Sequence, residues 1–406
     1  MNVPSSPSPI EKPNRSDQLT QPRHRLPAPR GWMWFLRSQD RDRPPRREPL
    51  AQPRPVLALV RSRRLERSAR PVLLWSLGFY ALALIALNVL MDRWCPAPFE
   101  KVYRTKWEGL CELARREPGR PLVVMLGSSR TDGALQAGRL NGLLGPDGRP
   151  IVAYNFGVPA AGPLHEYQYL RDMFDEGIRP CLLLVEFLPP LFNEPHSRLI
   201  SEENWAAADW MSLHQYVRLY PYLARPGRKA SEWIAARVAP WYVHRFSLHG
   251  WVLEHLHPPQ DPSPVPYPHD EWGCRCPEPL TPEVKAARAL VARDYIPSLG
   301  HFHLGQGPTR AMHDLLERCR CEQIPVVLVL TPESSTFRSW YQAECLKTMR
   351  DLLDELRAAY GVEVIDATHW LDDDDFMDGH HLDVPGMDKF TARMGHEVER
   401  LLRCQK

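Results

Sequence analysis

Cysteine is scarce, with nine in 406 residues. A disulfide-built scaffold is short and cysteine-dense, so that class is excluded. The closest cysteines form two C-x-C pairs, Cys274/Cys276 and Cys319/Cys321. Structural zinc knuckles are spaced more widely, so no metal is expected, and nothing points to another cofactor. A dominant charge of one sign is also missing. The net charge is +2, which excludes a protein that coats nucleic acid. No internal repeat at a fixed period is visible, which excludes a solenoid.

The near-neutral total hides an asymmetry. Residues 1–70 carry sixteen Lys and Arg against six acids, a net of +10, which leaves −8 for residues 71–406. The basic segment is rich in Pro, Arg, Ser and Gln and has little periodicity, so residues 1–70 are expected to be a disordered tail. Pro71 to Met91 (PVLLWSLGFYALALIALNVLM) then holds 21 residues without a charge. A bilayer core takes about 20 apolar residues of helix, so 71–91 reads as a transmembrane helix. The excess of Arg before it keeps the N-terminus in the cytoplasm and sends the body outside. The expected location is the cell membrane, single-pass, with an extracytoplasmic C-terminal body.

Residues 92–120 read as a linker helix. The body then alternates short apolar runs with helical patterns. The runs are Pro121–Leu126, Pro150–Asn155, Pro180–Val185, Ile324–Leu330 and Val362–Ile365, and the first is expected to lead into a helix through Leu144. Continuous apolar runs flanked by helices predict an α/β fold with a doubly wound parallel sheet. Its halves are 121–200 and 310–406. Residues 201–309 interrupt them as a helical insertion rich in Trp, including Trp205, Trp210, Trp233, Trp241, Trp251 and Trp272. Those rings suit stacking on sugars or a lid facing lipid, and they equally suit plain core packing.

Open parallel sheets place their sites beyond the carboxyl ends of the strands. Three such ends carry candidate groups. Gly127-Ser128-Ser129-Arg130 follows the first strand, where a helix start favours developing negative charge. Asn155-Phe156-Gly157 follows the second, and a glycine there allows close backbone approach. Near the C-terminus, Asp378 precedes His381 by three residues, a spacing that lets the carboxylate take the imidazole Nδ1–H and leave Nε2 free as a base. Each motif alone is ordinary capping or turn chemistry, and a polar surface loop accounts equally for the last. Their order on one sheet is far more specific. Arg130 and Arg338, just after the first and fourth strands, are candidate contacts for an anionic substrate group, or else plain exposed arginines at helix starts.

VVMLGSSRTDG, YNFGVPAAG and FMDGHHLDVPGMDKFT together resemble the SGNH/GDSL hydrolase superfamily. They are most similar to its membrane-anchored branch, which includes alginate O-acetyltransferases and the teichoic-acid D-alanylation protein. The resemblance implies a flavodoxin-like sheet with Ser129 as nucleophile, Asp378 and His381 completing a triad, and the N–H groups of Ser129 and Gly157 holding an oxyanion. One departure stands out. The family's Gly-x-Asn-Asp is absent after the third strand, where the chain reads Glu186-Phe187-Leu188, so the usual side-chain amide donor is missing. Asn193, a few residues on, is not taken as its replacement.

These readings point to serine-based acyl-ester chemistry outside the membrane, as an esterase or an O-acyltransferase. The expected partners are an acylated polysaccharide or another acyl ester and the membrane itself, with an envelope protein as a further candidate and no nucleic acid. Activity is expected to be low in acid and to rise as His381 loses its proton. The rival is a non-catalytic SGNH-like envelope protein that binds glycan or a protein.

Overall fold

A computed structural model describes residues 62–94, 98–196, 199–206, 208, 211–246, 248–249, 252, 268–276 and 281–404. The expected disordered tail falls outside the described residues up to position 61, as do Trp210 and Trp251. The contacts described below lie within one compact unit, Arg67–Lys406.

Helix α1 runs Ser62–Trp94, with Pro71 inside it. Among the described residues it is the one helix long and apolar enough to cross a membrane, over Ala69–Met91. Helix α2 (Pro98–Arg116) leads into the sheet. Its strands are β1 (Leu122–Gly127), β2 (Val152–Gly157), β3 (Leu182–Glu186), β4 (Val326–Leu330) and β5 (Glu363–Asp366). All neighbours pair in parallel, in the order β2-β1-β3-β4-β5. This is the flavodoxin-like order, whose switch point lies between β1 and β3. Every residue of β1, β2 and β3 is buried, as apolar strands covered on both faces require.

Helices pack on both faces. One core layer joins α2, α4 (Pro163–Asp175) and two later helices, Gln306–Cys321 and Ala343–Tyr360. The other lies under the last helix, Val384–Cys404, through Met387, Phe390, Met394 and Val398. The sheet and both layers match the expected fold class.

One expectation fails locally. The helix foreseen from β1 through Leu144 is only a single turn, α3 (Ser129–Asp132), followed by a 3-10 turn at Ala137–Leu140. The Leu135 carbonyl is taken by the Asn155 side-chain amide, and Gly133 and Gly138 carry low helix propensity.

Between β3 and β4 the chain forms α5 (Glu202–Trp205), α6 (Leu213–Leu219), α7 (Pro226–Val238), α8 (Pro240–Val243), α9 (Pro282–Ala292) and α10 (Tyr295–Gly300). The helices after it, in chain order, are α11 (Gln306–Cys321), α12 (Ser335–Arg338), α13 (Ala343–Tyr360) and α14 (Val384–Cys404). Trp205, Trp233 and Trp272 pack against apolar clusters, which is plain core packing. Trp241 instead stays about half exposed, at 46%.

Candidate active site

The turn after β1 is built around Ser128. Its hydroxyl caps α3 by accepting the Arg130 N–H at 3.2 Å. Its own N–H donates to Glu186 Oε2 at 2.6 Å, and the same oxygen accepts the Thr131 hydroxyl at 2.8 Å. The other Glu186 oxygen accepts Thr331 Oγ1 at 3.2 Å. One buried carboxylate at the end of β3 thus ties the β1 turn to the end of β4. This residue stands where the third motif of the resemblance drawn above is missing, and its role was not read from the sequence.

With that turn held, Ser129 Oγ lies 2.8 Å from His381 Nε2. His381 Nδ1 lies 2.8 Å from Asp378 Oδ2. The second Asp378 oxygen accepts the backbone N–H groups of His381 (2.8 Å) and His380 (3.2 Å). The loop closes through an antiparallel bridge, Phe376 to Leu382, and a Met377 N–H bond to the His381 carbonyl. Gly379 sits at its tip with φ +93°, a conformation that favours glycine. Burial alone would raise the Asp378 pKa. The His381 charge and its hydrogen bonds outweigh that, and the carboxyl is held well below the usual carboxylate range. The three residues that the sequence motif singled out are therefore brought into one line of hydrogen bonds.

Gly157 allows the close approach expected of it: a Cβ there would come 2.3 Å from the Asp132 nitrogen and 2.9 Å from the Ser128 carbonyl. Its N–H, however, donates to Asn155 Oδ1 at 2.9 Å. Asn155 is fully buried, and its amide nitrogen bridges the Thr131 and Leu135 carbonyls. The expectation of a free Gly157 donor is corrected accordingly. The Ser129 N–H, at the first position of α3, has no protein acceptor among the described residues. Asn193 is buried and structural, bonding Ser298 O and the His303 N–H.

Arg130 is not the exposed helix-start arginine that the sequence allowed. It is 3% exposed, paired with Glu333 at 2.8 Å and stacked over the Phe337 ring. Its Nε and Nη2 are buried without a protein partner. Arg338 Nη1 donates to the carbonyls of Glu333 and Thr368. Both arginines line one open cavity with Tyr341, Asp366 and His369 at the ends of β4 and β5.

Two more features escaped the sequence reading. His380 is buried among Tyr295, Phe337 and the His381 ring. Burial, then the His381 charge, pushes its pKa well below the ordinary histidine value. Beneath α3, Lys106 Nζ lies 2.6 Å from Asp132 Oδ1, both side chains fully buried, and His269 Nε2 joins at 2.9 Å. Burial pulls the Lys106 pKa down, while the Lys106 charge overcomes burial to hold Asp132 low. Neither pairing has a local spacing signal. Asp378, His380 and His381 do cluster their ligand atoms, but the Asp378–His381 hydrogen bond occupies two of them.

Comparisons with known proteins add the following. One protein-family model matches residues 306–403, a span holding β4, β5 and the Asp378–His381 loop. No curated protein matches the chain. Among solved structures, the chain is similar to a carbohydrate acetylesterase from Sinorhizobium meliloti, at 12% identity and TM-score 0.31, over 70% of this chain and 100% of that one. It is also similar to an inhibitor-bound aryl esterase from M. smegmatis, at 10% identity and TM-score 0.29, over 69% of this chain and 99% of that one.

Proposed function

We propose that the chain is a membrane-anchored, SGNH-like serine enzyme of acyl-ester chemistry. The observation that carries this reading is the Ser129–His381–Asp378 line, with 2.8 Å at each step. His381 Nε2 takes the Ser129 proton as Oγ attacks an acyl carbonyl. The ester C–O bond breaks and the departing alkoxide receives that proton. The acyl-enzyme is then attacked by water or a sugar hydroxyl, whose proton passes to His381 and from it to Ser129 Oγ as the acyl C–O bond breaks. Asp378 holds the His381 tautomer. The Ser129 N–H serves the oxyanion, and Gly157 joins it only by releasing Asn155. Ester-linked acyl groups on cell-envelope polysaccharide are the proposed substrate, α1 the anchor, and the outer face of the membrane the location. Arg130 and Arg338 line the adjoining cavity; Glu333 already pairs with Arg130, so an anionic group on that substrate draws mainly on Arg338.

The test is labelling of the full chain by a fluorophosphonate serine probe. Labelling is expected in the wild type and lost in Ser129→Ala and His381→Ala. Ser128→Ala should keep it at a reduced rate, since only a cap is lost.

A second reading, a glycan- or protein-binding body without catalysis, is favoured by two observations: the Gly157 N–H is occupied, and the segment after β3, Glu186-Phe187-Leu188, carries no side-chain amide. A folded wild type that fails to label would support it.

A further inference from the structure

The last turns of α1 are not bare. Leu84, Leu87, Asn88 and Met91 form a partly to fully covered stripe at helical spacing, and Met91 is 1% exposed. The insertion runs along this part of the helix. Asn88 Nδ2 donates to the Arg237 carbonyl at 3.0 Å, and Arg237 Nη1 returns a bond to Asn88 Oδ1 at 3.3 Å. Further along, the Tyr80 ring meets Trp241 edge-on at 6.1 Å.

These two contacts set a direction and a depth. From Arg237 to Trp241 the insertion advances four residues, while its contacts on α1 step back from Asn88 to Tyr80. Eight residues of helix are about 12 Å. Tyr80 lies eleven residues before Met91, the end of the apolar run, or about 16 Å of helix. A bilayer core is about 30 Å thick. If α1 spans, α8 lies beside its middle.

The exposed side chains fit that depth. Ile234, Val238, Trp241, Tyr242 and Phe246 are all at least 46% exposed, Phe246 at 75%. The Arg245 guanidinium lies over the Tyr242 and Phe246 rings, an arrangement that lets an arginine cover apolar surface while its head reaches polar ground. These side chains come from the end of α7, from α8 and from the residues just after it, and apolar and aromatic groups exposed together are solvated better by lipid than by water. Asn88, a polar side chain inside the apolar run, is satisfied by the insertion, as a low-dielectric setting demands.

We infer that residues 234–246 are inserted among the lipid acyl chains beside α1, as a second membrane element. The inference rests on the reading of α1 as a span. Its occupant is lipid, because Trp241 meets Tyr80 inside the apolar run of α1 and its neighbours stay exposed there. Two attachments constrain the body's tilt more than one helix does.

The test reconstitutes the full chain in phosphatidylcholine vesicles doped with a lipid carrying a photoactivatable diazirine on its acyl chain. Label is mapped by mass spectrometry. It is expected within residues 71–91 and within 238–246, and not on α13. Label on 71–91 without 238–246 overturns this inference, leaves the span standing and assigns the apolar face to a protein partner. Label on neither overturns the span, and this inference with it. In a Trp241→Asp, Phe246→Asp double variant, label is expected to be lost from 238–246 and kept on 71–91. Unchanged label at 238–246 in that variant also overturns the inference.

Discussion

Glu186 Oε2 lies 2.6 Å from the Ser128 backbone nitrogen, so a buried carboxylate at the end of β3 holds the turn that presents Ser129. The two residues are 58 positions apart in the chain. The carboxylate does what backbone pairing does elsewhere: it satisfies a buried N–H. Because it also accepts two hydroxyls, from Thr131 and Thr331, it couples three strand ends. Glu186→Ala leaves that N–H unsatisfied, at a cost of about 1–3 kcal/mol. Serine-probe labelling is expected to slow by roughly tenfold to a hundredfold if that cost falls on the reactive geometry. Glu186→Gln should recover most of the rate, since one amide oxygen can accept and the amide nitrogen can donate to Thr331. Equal loss in both variants would show that charge, not positioning, matters.

Asp378 fixes the His381 tautomer through its 2.8 Å bond. Asp378→Asn turns an acceptor toward a donor and favours the wrong tautomer. The expected result is a fall in kcat on the order of a thousandfold or more with KM little changed. Steady-state kinetics on a chromogenic acyl ester reads both constants. A rise in KM at constant kcat would place Asp378 in substrate binding instead.

The same carboxyl has a stability signature. Its folded pKa lies below the unfolded one. Its contribution is therefore present above the ordinary carboxylate range and is lost as pH falls toward the folded value. Thermal unfolding of wild type against Asp378→Asn should show the largest gap near neutral pH and a shrinking gap in acid.

Glu166 has the opposite sign. It is fully buried in α4, with Oε2 unpartnered. Burial, then the nearby Glu202 and Glu186 charges, pushes its pKa well above the usual value. The folded protein keeps the proton that the unfolded chain loses, so this residue costs stability as pH rises. Glu166→Gln should raise Tm, with an advantage that grows from mildly acidic to neutral pH. An advantage that is flat across pH would exclude a titrating Glu166.

Lys106 and Asp132 form a fully buried pair. Lys106→Met leaves the carboxylate without its cation and should destabilise by about 3–5 kcal/mol. Replacing both residues, as Lys106→Met with Asp132→Leu, should cost less than the single change, because no charge is stranded. Denaturant midpoints of the three chains test this. A double variant worse than the single would mean that the His269 contact carries the stability.

The sequence by itself determined the features that depend on period and on short spacing. An uncharged apolar run announces α1. Continuous apolar strands alternating with helices announce the parallel sheet. Asp378 three residues before His381 announces their pairing, because a carboxylate can reach an imidazole across one turn. Only the tertiary structure decided which distant group each buried polar atom meets. It gave the Gly157 N–H to Asn155, put Arg130 on Glu333 and Phe337, joined Lys106 to Asp132, and packed Trp272 against the core while leaving Trp241 half exposed. The physical reason is range. Hydrophobic periodicity is written in neighbouring residues, whereas a desolvated donor or charge is satisfied by whatever the packed layers bring within about 3 Å.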